Sequence, residues 1–129
     1  MSGTKHIIGW EKNVPCSATI TLGTPAATVA IQIQLLDYQG KALTAKAAIR
    51  AYYSTDADAD TVEAVGAASV VATNGIVIED LTTYSVTLIS EDDGTVGLTI
   101  NGDGAVTNYL NLIFPDGHIQ TSGSYLFTS

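Results

Sequence analysis

The stretch from Thr28 to Asp37 constrains this chain more than any other. Val29, Ile31, Ile33 and Leu35 alternate with Ala30, Gln32 and Gln34, a period of two. Only an extended strand sends every second side chain to one face, so this strand is predicted to be buried on its aliphatic side and wet on the other. A helix would scatter the same four aliphatics around its circumference.

The pattern recurs along the chain. Ala18 to Leu22 alternates and stops at Gly23-Thr24-Pro25. Ala48 to Ser54 places Ile49, Ala51 and Tyr53 on one face, with Arg50 and Tyr52 on the other. Ile76 to Ile78 reads as a short strand after the break at Asn74-Gly75. Tyr84 to Ser90 and Thr95 to Asn101 flank Glu91-Asp92-Asp93-Gly94 and are predicted to form a hairpin. Ala105 to Phe114 aligns Leu110, Leu112 and Phe114, Pro115-Asp116-Gly117 turns, and His118 to Phe127 completes the set. Val62 to Val71, rich in Ala and Val, is open between a helical turn and a weak strand. About eight strands at spacings of about 8–12 residues predict an all-β, immunoglobulin-like or Greek-key sandwich.

Composition supports one ordered domain. The chain has 129 residues, 46% hydrophobic and 14% charged, too apolar for intrinsic disorder. Regularity begins at Ser17, so residues 1–16 are predicted as an extended N-terminal arm and 17–129 as the sandwich. Thirteen acids against five bases give a net charge of −8. That balance leaves no basic patch for nucleic acid and disfavours an anionic membrane surface. The single cysteine, Cys16, allows no internal disulfide and reads as a small hydrophobe. No apolar run reaches the roughly 18 residues of a membrane helix, and no signal-peptide pattern opens the chain. The expectation is a chain made and used in the cytoplasm, or exported only within something larger.

Few residues announce chemistry. Asp56, Asp58 and Asp60 alternate in an acidic loop, with Glu63 beyond. The start resembles a calcium-binding loop, but Thr61 replaces the turn glycine and Ala67 stands where a bidentate glutamate belongs. A solvated acidic loop is therefore expected, with weak calcium binding the alternative. His6 and His118 sit in no nucleophile or zinc motif, so no catalytic, cofactor or metal residue is assigned. Tyr52 and Tyr53 are adjacent and must face opposite ways; if Tyr53 is core, Tyr52 is exposed or meets a partner. Ile7, Ile8 and Trp10 form an apolar cluster in the arm, predicted to bury against the chain's own domain or a neighbouring subunit.

Two resemblances follow from particular residues. Ile33-Gln34-Leu35-Leu36-Asp37-Tyr38-Gln39-Gly40-Lys41-Ala42-Leu43 resembles a bacterial immunoglobulin-like repeat of the invasin type, where a strand, an Asp-x-x-Gly turn and a short apolar segment succeed one another. Glu91-Asp92-Asp93-Gly94-Thr95 and Phe114-Pro115-Asp116-Gly117-His118 have the same style. The region from Val29 onward also resembles small tailed-phage virion proteins, through Asp93 to Ile100 and Leu110 to Gly117. This resemblance covers about three quarters of the chain and rests mostly on turn chemistry. It implies a structural role, foremost a capsid decoration or cement protein on the outside of a phage head. The implied partners are the major capsid protein or neighbouring virion subunits, in a homo-oligomer for which a trimer would suit a threefold position. The alternative is a fibre or adhesin module that binds cell-surface glycans through Tyr38 and the Asp56–Asp60 loop.

Overall fold

Alternating aliphatics become strands throughout, and ten are present in the computed structural model, which describes residues 14–62, 69–81, 85–102 and 105–128. They are β1 (Ser17–Leu22), β2 (Thr28–Leu36), β3 (Ala48–Ser54), β4 (Ser69–Asn74), β5 (Ile76–Leu81), β6 (Ser85–Ile89), β7 (Thr95–Asn101), β8 (Thr107–Ile113), β9 (Ile119–Thr121) and β10 (Tyr125–Leu126). One sheet runs β1-β2-β7-β4; the other runs β10-β8-β3-β6-β5, with β9 also paired to β8. All of these ladders are antiparallel.

This is a β-sandwich of two antiparallel layers. The first sheet has the A-B-E-D order of an immunoglobulin domain, and β10-β8-β3 takes the place of G-F-C. Beyond β3 the second sheet is widened by β6 and β5. A parallel bridge between Ala26 and Phe127 ties the β1–β2 connection to the C-terminal strand.

The core is made of the residues that period two selects. Val29, Ile31, Ile33 and Leu35 meet Val96, Leu98 and Ile100 within the first sheet. Ile49, Ala51, Tyr53, Val86, Leu88, Leu110, Leu112 and Phe114 face them from the second, all buried. A core of this size can hold a domain without cross-links.

One expectation is overturned. β6 and β7 do not form a hairpin. β6 lies between β3 and β5 in the second sheet, and β7 lies between β2 and β4 in the first. The Glu91–Gly94 turn carries the chain from one layer to the other. Other strands are finer than expected: Ile76–Ile78 extends to Leu81, the 118–127 segment splits into β9 and β10, and the end of the 62–71 stretch enters β4. Residues 63–68 of that stretch lie outside the described residues.

The same turn is built three times. Gly40 N donates to Asp37 O and Asp37 N to Lys41 O; Gly94 N to Glu91 O and Glu91 N to Thr95 O; Gly117 N to Phe114 O and Phe114 N to His118 O. Each glycine has a positive φ, 79°, 78° and 93° respectively. This is a tight turn closed by a left-handed residue, where a side chain is strained. At Gly40 an added Cβ would touch nothing within 4 Å, so only backbone strain opposes it. Gly40→Ala is expected to cost about 1 kcal/mol. Gly94→Ala should cost more, because its Cβ would lie 3.0 Å from Leu43 Cβ and 3.2 Å from Leu35 O. Urea denaturation of the two variants checks the difference.

Candidate interaction surface

The two sheets have very different outer faces. In the first, register places Gln34 between Thr19 and Thr95, Thr21 beside Gln32, and Ala30 beside Thr99. Thr28 Oγ1 donates to Asn101 Oδ1 at 2.6 Å, and Asn74 Nδ2 to Thr95 Oγ1 at 3.0 Å. Among the described residues, Val71 is the one exposed large hydrophobe on this threonine and glutamine carpet.

The outer face of the second sheet carries isoleucine. Ile76 registers with Ile89, and Ile89 with Ala48. One row along, Ile78 registers with Thr87, Thr87 with Arg50, Arg50 with Ile113 and Ile113 with Ile119. Ile76, Ile78 and Ile119 are 51%, 48% and 47% exposed. Covering the exposed half of each would release on the order of 1 kcal/mol. Between these rows lies a shallow depression of about 230 Å³ lined by Ala48, Arg50, Thr87, Ile113 and Pro115, with Ile49 and Phe114 beneath. An apolar tract of this kind is a candidate interaction surface.

Charge is nearly absent from it. Arg50 Nη2 lies 3.8 Å from Asp80 Oδ2, and Thr87 Oγ1 donates to the same carboxylate at 2.9 Å. The pair is neutral overall and solvent-screened, so it contributes little to stability. A surface with this balance suits an apolar protein partner rather than phosphate or an anionic headgroup.

The far end of the same face is sealed by polar contacts. Tyr52 faces outward, as the alternation requires, but it is half-buried and its hydroxyl donates to Ala59 O at 2.7 Å. Burial, then the carboxylates of Asp56 and Asp60, push that hydroxyl's pKa up. Tyr52 therefore braces the acidic loop. Beside it, buried Asn111 donates to Ser54 Oγ at 2.9 Å and accepts from Thr121 Oγ1 at 2.8 Å.

The acidic loop spends its groups on itself. Thr55 N donates to Thr61 O, Ser54 Oγ to Asp56 O, and Thr61 Oγ1 to Asp56 Oδ2 at 2.9 Å. The Thr61 hydroxyl, and after it a hydrogen bond shared with Asp60, hold the Asp56 carboxyl low, and the same shared bond raises Asp60. Ala59 takes a φ of 66°, a left-handed conformation unusual for alanine, and the Tyr52 hydroxyl caps its carbonyl. Among the described residues no three His, Cys, Asp or Glu side chains are grouped to hold a metal ion. Glu63 lies outside the described residues.

Several residues singled out in the sequence are not brought together. Tyr38, 47% exposed, sits in the turn after β2, whereas the Asp56–Asp60 loop follows β3 at the opposite end of the sandwich. Glu91–Asp93 lies at the Tyr38 end. His118 stacks on Phe114 with ring centroids 4.8 Å apart, and its Nδ1 lies 2.6 Å from Asp116 Oδ1, within its own turn. Ile7, Ile8, Trp10 and His6 lie outside the described residues. The isoleucine face itself was legible as the off-core parity of β5, β6, β8 and β9, positions that a search for core faces passes over. Neither a known protein-family model nor a curated protein matches this chain.

Proposed function

We propose that this chain is a non-enzymatic structural protein of a tailed-phage virion, a decoration or cement protein that binds the outside of the head. The observation that carries this reading is the isoleucine face of the second sheet, opposite a face of threonine and glutamine. A wet face and an adhesive face on one rigid slab are what a shell-bound protein needs. The net charge of −8 keeps free copies apart in solution. The near-neutral isoleucine face meets an apolar surface of the major capsid protein or a neighbouring virion subunit. Binding only the assembled shell stabilises it by mass action, and repetition over a symmetric lattice multiplies a modest contact.

The test is sedimentation of purified protein with expanded capsids that lack it. Saturable binding at a fixed number of copies per shell is expected. Ile78→Lys, at an exposed position, should weaken it at least about tenfold, because a lysine charge would be desolvated at the contact. Protein that stays in the supernatant at all shell concentrations would overturn the reading.

A further inference from the structure

We propose that the outer edge of β5 is a pairing edge for a second copy of this chain. The two β5 strands lie antiparallel about a twofold axis at Val77, and the two second sheets become one continuous sheet. This contact goes beyond shell binding and does not rest on it.

Three observations lead there. First, β5 is the edge that the fold leaves open. A strand edge is a row of unpaired backbone groups, which folded chains guard with bulges, prolines, lysines or covering segments. On one side of the sandwich the guards are in place. Gln120 of β9 donates to Ala18 O of β1 at 2.7 Å and accepts from Ala18 N at 3.0 Å. Thr128 N donates to Ala26 O at 3.2 Å beside the Ala26–Phe127 bridge. On the other side, β4 breaks its own ladder with an irregularity between Ala72 and Asn74. β5 reads Ile-Val-Ile-Glu-Asp-Leu, without proline or lysine, and its irregularity falls beyond Glu79. Among the described residues no strand pairs with its outer edge.

Second, the free backbone groups sit where a twofold needs them. Ser90 N donates to Ala47 O, and the same register pairs Ile89 with Ala48. Hydrogen-bonded pairs alternate along an antiparallel ladder, so Ser90 and Leu88 turn to β3, and Ile89 and Thr87 turn to β5. Their partners there, Ile76 and Ile78, are thereby bonded inward to the sheet. The N–H and C=O of Val77 point away from it. With Val77 on the axis, the two copies of that residue exchange both bonds.

Third, the side chains select that register. Ile76 falls opposite Ile78 of the second copy, and Ile78 opposite its Ile76, so four half-exposed isoleucines cover one another on the outer face. Glu79 falls opposite Gly75, which has no side chain, and Asp80 opposite Asn74. Centring on Ile78 instead sets Asp80 against Ile76, and centring on Glu79 sets two carboxylates against each other. Ile113, Ile119 and the depression stay uncovered, so pairing doubles the width of the isoleucine face without closing it. A strand pair alone buries less than a standard interface, below about 1,200 Å², and each copy carries a charge of −8, so the dimer is weak and salt strengthens it.

Sedimentation equilibrium of the full-length chain at concentrations up to about 1 mM tests this. A reversible monomer–dimer equilibrium is expected, tightening several-fold from low to high salt. In high salt, Ile76→Lys and Ile78→Glu, both at exposed positions, should each weaken it at least about tenfold, by setting a charge against an isoleucine. The double variant I76K/I78E sets each lysine against a glutamate of the second copy and should recover most of the loss. Val71→Lys, on the neighbouring edge strand β4, is the control and should leave the equilibrium unchanged. Circular dichroism checks that each variant is folded. A monomer at every concentration and salt would overturn the inference. So would a dimer that the isoleucine substitutions leave intact, that Val71→Lys dissociates, or that the double variant fails to restore. Each of these outcomes is read on the free protein, and none of them bears on whether the chain binds capsids.

Discussion

Gly102→Val should destabilise the domain by about 3 kcal/mol or more, the upper end of the cost of overpacking. A Cβ at Gly102 would run into the Phe127 ring, and the next nearest atom, Phe127 Cβ, would be only 2.7 Å away. Phe127 is fully buried, with an edge contact to Tyr125 at 5.7 Å between centroids, so the ring has nowhere to swing. Gly102 N also donates to Ala27 O at 3.0 Å, and Phe127 N to Val106 O at 2.9 Å. Both backbones are therefore held where the clash occurs. Urea denaturation gives the magnitude. Phe127→Leu frees part of the space, so the double variant should lose clearly less than the sum of the two single losses. A Gly102→Val protein within about 0.5 kcal/mol of the parent would show that the ring can be displaced at little cost.

Stability is expected to collapse in alkali, and two buried tyrosines set where. Burial pushes the Tyr53 hydroxyl far above its ordinary range, helped by the Glu79 carboxylate, and burial does the same to Tyr125 beside Tyr53. In the unfolded chain both ionise near pH 10. The folded state is thus the one that keeps its protons. Its advantage is intact below about pH 10 and is lost as pH rises from there towards the folded-state values. Each tyrosine removes on the order of 1.4 kcal/mol per pH unit over that interval, so the pair removes on the order of 3. Two units remove roughly 6 kcal/mol, which brings a domain at the lower end of the usual range of about 5–15 kcal/mol to unfolding. Tyr53→Phe and Tyr125→Phe should each flatten the decline by about half. At neutral pH they should be neutral or stabilising, because neither hydroxyl has a hydrogen-bond partner among the described residues. Denaturation midpoints from pH 8 upward, about one unit apart, test both claims.

Much of this architecture could be read from residue order alone. Period two chose Val29, Ile31, Ile33, Leu35, Ile49, Tyr53, Leu110 and Leu112 for the interior, and all are buried. The turns at Gly40, Gly94 and Gly117 were equally plain, because a left-handed residue closing a tight turn is local chemistry. What local chemistry cannot say is which strands pair. The turn at Phe114–His118 joins β8 to β9 as a true hairpin, while the same turn at Glu91–Thr95 switches layers. The difference lies in the neighbours: β6 has β3 and β5 on its flanks, and β7 has β2 and β4. Those are contacts between segments distant in the chain. Tyr52 shows a similar limit. Its outward direction followed from alternation, but its hydrogen bond to Ala59 depends on the path of a loop whose strained alanine no pattern announces.

The layer-switching path also bears on how quickly the domain can form. Of the ladders, β1–β2, β5–β6 and β8–β9 join consecutive strands and can zip by themselves, and β8–β10 is nearly as local. The ladders that make the sandwich, β2–β7, β4–β7, β3–β6 and β3–β8, close large loops before they return any binding energy. Chains with such topology fold in milliseconds to seconds rather than microseconds. During that interval the edge of β5 and the isoleucines beside it stand unpaired, open to the same strand of another nascent chain. Yield on refolding should therefore fall with concentration, and the productive window belongs to dilute chains that find their distant partners before they find each other.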